Sequence, residues 1–164
     1  MFQTLQLEIT ADLAQLTLTR PEKRNAISPQ MISDLLAALD QIENSPARVA
    51  ILTGSGKAFC AGMDLETLSA IARQSPEQNF EDSRRMAQMF RRIWSFPKPL
   101  IAAVNGAAIA GGCGIATLCD FTLAVPEAKF GYTEVKIGFL PAIVSVFLTR
   151  QIGDKRARDS RRGT

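Results

Sequence analysis

The sequence predicts an α/β layered fold, and three observations carry the prediction. Short apolar runs of strand character alternate along the chain with amphipathic segments of helical period. Prolines and glycines stand at the junctions between them, where one element must stop and the next begin. The chain has 164 residues, 46% of them hydrophobic and 21% charged, enough for one soluble domain with a sizeable core.

In order, residues 3–9 and 13–19 alternate apolar and polar positions around Thr10-Ala11-Asp12, which reads as a β-hairpin. RPEKRNAIS (20–28) is a polar loop. Ser28 is an N-cap with Pro29 in the first helical position, and Met31, Ile32, Leu35, Leu36, Leu39 and Ile42 repeat at helical spacing. RVAILT (48–53) is a short buried strand, and GSGKAFCAGMD after it reads as a loop. Helices follow over about 65–73 and 79–94, the second with Met86, Phe90, Ile93 and Trp94 on one face. Pro97 and Pro99 end it and lead into the strand LIAAVN; a glycine cluster, an apolar helix and the strand FTLAV complete the pattern.

Composition removes several chemistries. Histidine is absent, which excludes serine–histidine and cysteine–histidine nucleophiles and most zinc sites; no metal is expected. Cys60, Cys113 and Cys119 form no C-x-x-C pair and are expected to be buried small apolar residues of an intracellular protein. The net charge of +3 equals that of residues 154–164 alone, so residues 1–153 are neutral, and nucleic acid is not an expected partner. The start MFQTLQLEITAD has neither the basic nor the apolar region of a leader peptide. The uncharged stretch 100–119 carries Asn105, Thr117 and the glycine cluster, so a strand, loop and helix are expected there and no membrane association.

Two segments, GKAFCAGMDL (56–65) and NGAAIAGGCGIA (105–116), each place a glycine-bearing turn at a helix start. Backbone N–H groups point outward there and the helix dipole favours negative charge. Neither matches a phosphate-loop or dinucleotide pattern. Either turn alone reads as packing; two together can offer two donors to one oxygen, an oxyanion hole.

These residues carry a resemblance. RPEKRNAIS, GKAFCAGMDL, PKPLIAAVNGAAIAGGCGIATLCD (97–120) and AKFGYTEVKIGFLPA (128–142) stand in the order found in the crotonase superfamily, the enoyl-CoA hydratase/isomerase group. The resemblance implies a crotonase-like spiral of repeated ββα units over residues 1–153. It implies that Met63 and Gly111 give the two oxyanion-hole N–H groups, which hold a thioester carbonyl. Arg24, Ala26 and the segment Ala61, Gly62, Met63, Asp64, Leu65, with Gly111, match positions lining the coenzyme A site; Lys57 reads equally as a phosphate contact or a solvated lysine. Glu134 matches one of the two hydratase glutamates. The other falls on Gly114, which offers no carboxylate. Asp64 and Asp120, at element boundaries, read as structural caps, and Cys113 has no activating group near it in sequence.

The function implied is hydration of a 2-enoyl-CoA in the cytoplasm, within fatty acid metabolism, with coenzyme A as part of the substrate and no other cofactor. Isomerisation of a 3-enoyl to a 2-enoyl thioester by a single glutamate is the alternative. A non-catalytic acyl-CoA-binding or inactive subunit is the alternative from another class. From Asp154 the sequence turns basic and stops at SRRGT, and a disordered, non-family tail of a truncated product is expected there, with the C-terminal helices of the family missing. An intact-length member is expected to form a homo-trimer or hexamer.

Overall fold

The computed structural model describes residues 1–133 and 142–161, the last four of these as backbone only. The hairpin forms as β1 (Leu5–Ile9) and β2 (Leu13–Leu18), paired antiparallel. Ser28 accepts a hydrogen bond from Met31 N–H and opens α1 (Pro29–Glu43), whose buried face is Met31, Ile32, Leu35, Ala38, Leu39 and Ile42. The buried Asp34 ties this helix to the hairpin by accepting from Gln3 N–H, Thr4 N–H and Thr4 Oγ1 at 2.8–2.9 Å.

Three successive turns of chain then follow one plan. Each lays one strand into a large sheet, a second into a small sheet, and a helix after the pair. The first has β3 (Val49–Gly54), β4 (Ala58–Cys60), α2 (Leu65–Ile71) and the additional α3 (Pro76–Trp94). The second has β5 (Leu100–Val104), β6 (Ala107–Ile109) and α4 (Gly111–Leu118), and the third β7 (Phe121–Ala124), β8 (Phe130–Gly131) and α5 (Ala142–Ile152). The large sheet has the order β1-β2-β3-β5-β7 and the small one β4-β6-β8, parallel throughout after the hairpin. Parallel neighbours need a crossover, and the helices supply it. This is the spiral of repeated ββα units expected for a crotonase fold.

Three differences from the sequence reading stand out. Residues 58–60, 107–109 and 130–131 are strands, although runs of two or three residues carry no readable alternation; β4 is wholly buried. The second long helix begins at Pro76, because Ser75 and Gln78 form a reciprocal capping box ahead of the expected start. And residues 154–161 form a helix, α6, in place of the expected disorder. Gly153, at φ +79°, ends α5 by accepting a left-handed turn, and Ala157 of α6 is buried.

Among the described residues, no helix is long and apolar enough to cross a membrane.

Candidate active site

Met63 follows β4 in a short loop, and its neighbours fix its orientation. Ile27 N–H donates to Gly62 O (2.7 Å) and Asp64 N–H donates to Ile27 O (2.9 Å), a parallel bridge between Ile27 and Met63. In a parallel bridge the residue that uses both its groups bonds the two neighbours of its partner, so the partner's own N–H faces the opposite side. Met63 N–H therefore points away from Ile27. Gly111 is the first residue of α4, where the N–H has no acceptor within the helix. Among the described residues neither N–H has an acceptor.

The two loops touch. A Cβ on Gly62 would lie 2.8 Å from Ala110 Cβ and 3.4 Å from Gly111 N, and Gly62 itself stands at φ +87°, a conformation open to glycine. Across the contact, Ala110 has φ 52° and ψ −122°, a sparsely populated backbone held by Ala110 N–H donating to Gly131 O at 2.7 Å. Strain of this kind collects at functional sites. The structure thus brings Met63 and Gly111 together from segments nearly fifty residues apart.

The middle glycine of the cluster has a different role. A Cβ on Gly112 would sit 2.2 Å from Cys60 O, so its bareness lets α4 pack directly on β4. Gly114 is buried, and a Cβ there would meet Val144 Cγ2 at 2.7 Å and Phe90 Cε1 at 3.2 Å. At the position that the resemblance matches to the second glutamate, apolar side chains therefore take the space.

A cavity of about 180 Å³ opens beside Met63. Ile27, Pro29, Ile32, Met63, Ile71, Met86 and Ile143 form its apolar wall, and Ser28, Thr67 and, from α3, Asn79, Asp82, Ser83 and Arg85 add polar groups. Of the other expected site residues, Ala26 is buried and Arg24 is exposed in a left-handed conformation (φ 51°), with its carbonyl accepting from Ala61 N–H at 3.0 Å. Leu65 is exposed, and Lys57 lies on the surface. Glu134 lies outside the described residues.

Asp64 is buried and its carboxylate is engaged on both oxygens, by Glu66 N–H (3.0 Å) as the cap of α2 and by Arg20 (2.8 Å). Burial pushes its pKa up, but the Arg20 guanidinium and the Glu66 N–H outweigh that and hold it below the usual aspartate value. A carboxylate so occupied fastens the loop that carries Met63. Asp120 likewise accepts from Leu100 N–H at 2.8 Å, tying the start of β5. Cys113 is buried, and burial drives the Cys60 and Cys119 thiols up to about 12, so neither is a nucleophile.

Two residues escaped the sequence reading. Arg20 and Asn25 lie in RPEKRNAIS, read as a loop. Asn25 is fully buried at φ 54°, where its side chain accepts from Arg20 N–H and donates to Ser55 O and Ala58 O. Asparagine tolerates the left-handed region better than most residues, and that was the available signal.

The profile of the enoyl-CoA hydratase/isomerase family matches residues 8–160, and the chain belongs to that family. The match runs through most of α6, so the basic segment from Asp154 is family sequence up to residue 160. The chain is 48% identical over 148 residues, 90% of its length, to a Thermus thermophilus protein named "Putative enoyl-CoA hydratase", of which it covers 58%. It is 35% identical over 160 residues to a hydroxycinnamoyl-CoA hydratase-lyase of Pseudomonas fluorescens, covering 95% of this chain and 58% of that one. It superposes on the crystal structure of an enoyl-CoA hydratase from Shewanella pealeana with a TM-score of 0.93 at 33% identity, covering 98% of this chain and 61% of that chain. The chain therefore spans about three fifths of the length of these relatives.

Proposed function

We propose that the chain acts on acyl-CoA thioesters and that its reaction is the hydration of a 2-enoyl-CoA. The observation that carries this is the contact between the loops of Met63 and Gly111, whose backbone N–H groups have no acceptor among the described residues, with an apolar cavity beside Met63. Two such donors aimed at a thioester oxygen stabilise the enolate that forms when a nucleophile adds at the third carbon. Losing one donor of an oxyanion hole costs about 3 kcal/mol of transition-state stabilisation. Glu134, matched by sequence to a hydratase glutamate, is the group that would activate water and return the proton. A single carboxyl can act first as base and then as acid.

The cavity bounds the acyl group. A cavity of about 150 Å³ walled by aliphatic and aromatic side chains takes up a benzene ring. The space beside Met63, about 180 Å³, suits an apolar tail of that size, a short chain or a single ring.

Double-bond isomerisation is the second reading, and Gly114 favours it. With the second carboxylate replaced by a position packed against Val144 and Phe90, one glutamate can move a proton between carbons two and four. Turnover of crotonyl-CoA and of a 3-enoyl-CoA on one preparation decides between them. Hydration predicts consumption of the first; isomerisation alone predicts that only the second reacts; binding without turnover of either would leave an acyl-CoA-binding subunit. The exposed Phe121, Leu123 and Phe130 fit burial in the trimer or hexamer that the resemblance implies, and the cytoplasm and an absence of other cofactors belong to the same reading.

A further inference from the structure

We infer that Arg20 is a positioning residue for the candidate oxyanion hole: its guanidinium spans the Ile27–Met63 bridge and fixes the direction of the Met63 N–H. The inference rests on the reading of that N–H as a thioester donor. One arm of the fork donates to Ala26 O at 2.6 Å and another to the Asp64 carboxylate at 2.8 Å. Ala26 precedes Ile27, and Asp64 follows Met63, so the fork grips one residue on each side of the bridge. The bridge bonds themselves, Ile27 N–H to Gly62 O and Asp64 N–H to Ile27 O, lie between. Arg20 is in turn held by its own N–H, which donates to Asn25 Oδ1 at 2.9 Å, and Asn25 is anchored to Ala58 O at the start of β4. The segment that carries Met63 is thereby held at Asp64 by the Arg20 side chain and at the start of β4 by the Asn25 side chain, which Arg20 N–H in turn engages.

Position decides why this pair matters and its neighbour does not. The Arg20 and Asp64 side chains retain 17% and 6% of their exposure, while the adjacent Lys23–Glu66 pair retains 45% and 79%. An exposed pair contributes little, whereas a buried pair with a planar fork holds its partners in a set geometry. Lysine cannot copy this: it is a single point charge on a flexible stem and cannot span both acceptors as a rigid fork.

Arg20→Lys keeps the charge opposite Asp64 and removes the fork, so it tests positioning apart from folding; Arg20→Met removes both. The measurements are kcat and KM for a 2-enoyl-CoA, the melting temperature, and the carbonyl stretch of a bound saturated acyl-CoA labelled with 13C at the thioester. That probe cannot be hydrated and reports only polarisation of the carbonyl. For Arg20→Lys the expected result is a kcat lowered by about tenfold to a hundredfold with KM changed by less than about threefold. The carbonyl shift should shrink while the protein melts near the wild-type temperature. Arg20→Met should lose more of the shift, and if it does not fold, the lysine variant decides alone. Full kcat and an unchanged carbonyl shift in Arg20→Lys overturn the inference, as does a kcat reduced only in proportion to unfolded protein. Wild-type protein that binds the probe with no carbonyl shift would instead remove the oxyanion-hole reading, and this inference with it.

Discussion

Replacing Gly112 by alanine sets a Cβ 2.2 Å from Cys60 O and 2.8 Å from both Cys60 C and Cys60 Cβ. Unstrained carbon contacts lie at about 3.5–4.0 Å, so α4 and β4 must part by roughly 1 Å. Both sides of the contact are backbone, and β4 is fully buried and paired with β6, so no side chain can turn aside to relieve it. Overpacking of this kind costs about 3 kcal/mol, against which alanine in a helix regains about 1 kcal/mol over glycine. The net loss of about 2 kcal/mol corresponds to a drop of about 4–8 °C in melting temperature for a chain of this size. The flanking glycines are internal controls. At Gly111 the nearest atom is the flexible end of Ile27, 3.1 Å away; at Gly114 it is the stiffer Val144 Cγ2 at 2.7 Å. Calorimetry of the three alanine variants should rank the loss as Gly112 largest, Gly114 intermediate and Gly111 smallest. Because Cys60 leads directly to the Met63 loop, Gly112→Ala should also lose turnover by about a hundredfold at temperatures where it remains folded. A Gly112→Ala protein that melts at the wild-type temperature, or a reversed ranking, would refute the packing argument.

Four further outcomes are expected. Glu134→Gln should abolish hydration and isomerisation alike while leaving acyl-CoA binding measurable by titration, since an amide can neither take nor return the proton; near-normal turnover would place the chemistry elsewhere. Gly114→Glu should give destabilised protein rather than a better hydratase, because Val144 and Phe90 occupy the space and a buried carboxylate would lack a partner; a stable variant with increased hydration would contradict this. The Cys60 and Cys119 thiols, at about 12 in the fold against 9.0 ordinarily, keep protons that the unfolded chain releases, so stability should fall as pH rises from 9 toward 12, read from urea midpoints; replacing both by alanine should flatten that fall. Asp34 is raised by burial but held below its ordinary 3.8 by Thr4, Gln30 and Gln3, so its contribution is present above pH 3.8 and lost as pH falls through the lower folded value; Asp34→Ala should cost about 3 kcal/mol at neutral pH by leaving the Gln3 and Thr4 donors unpaired.

By itself the sequence determined the elements whose signal is local: the hairpin, the capped helix from Pro29, strands β3, β5 and β7, and α3 apart from its first turn. Each is long enough to show a period or an apolar run, Ser28 caps its helix within three residues, and the 97–99 prolines mark a boundary because they lack the N–H a helix needs. The motifs also marked Met63 and Gly111 as partners through the family resemblance. Only the tertiary structure decided how those two meet. Strands β4, β6 and β8 have two or three residues each and exist because parallel partners arrive from distant segments, as with Ala58 opposite Ala107 and Ala108 opposite Phe130. Arg20 reaches Asp64 across 44 positions, Asn25 reaches Ala58 across 33, and neither pairing leaves a periodic trace in the chain. The glycines make the same point: three neighbours look alike in sequence, yet Gly111 leaves a donor clear, Gly112 admits a carbonyl oxygen, and Gly114 yields its space to Val144. A glycine signals that something comes close; what comes close is settled by the packing of parts of the chain that local sequence cannot see.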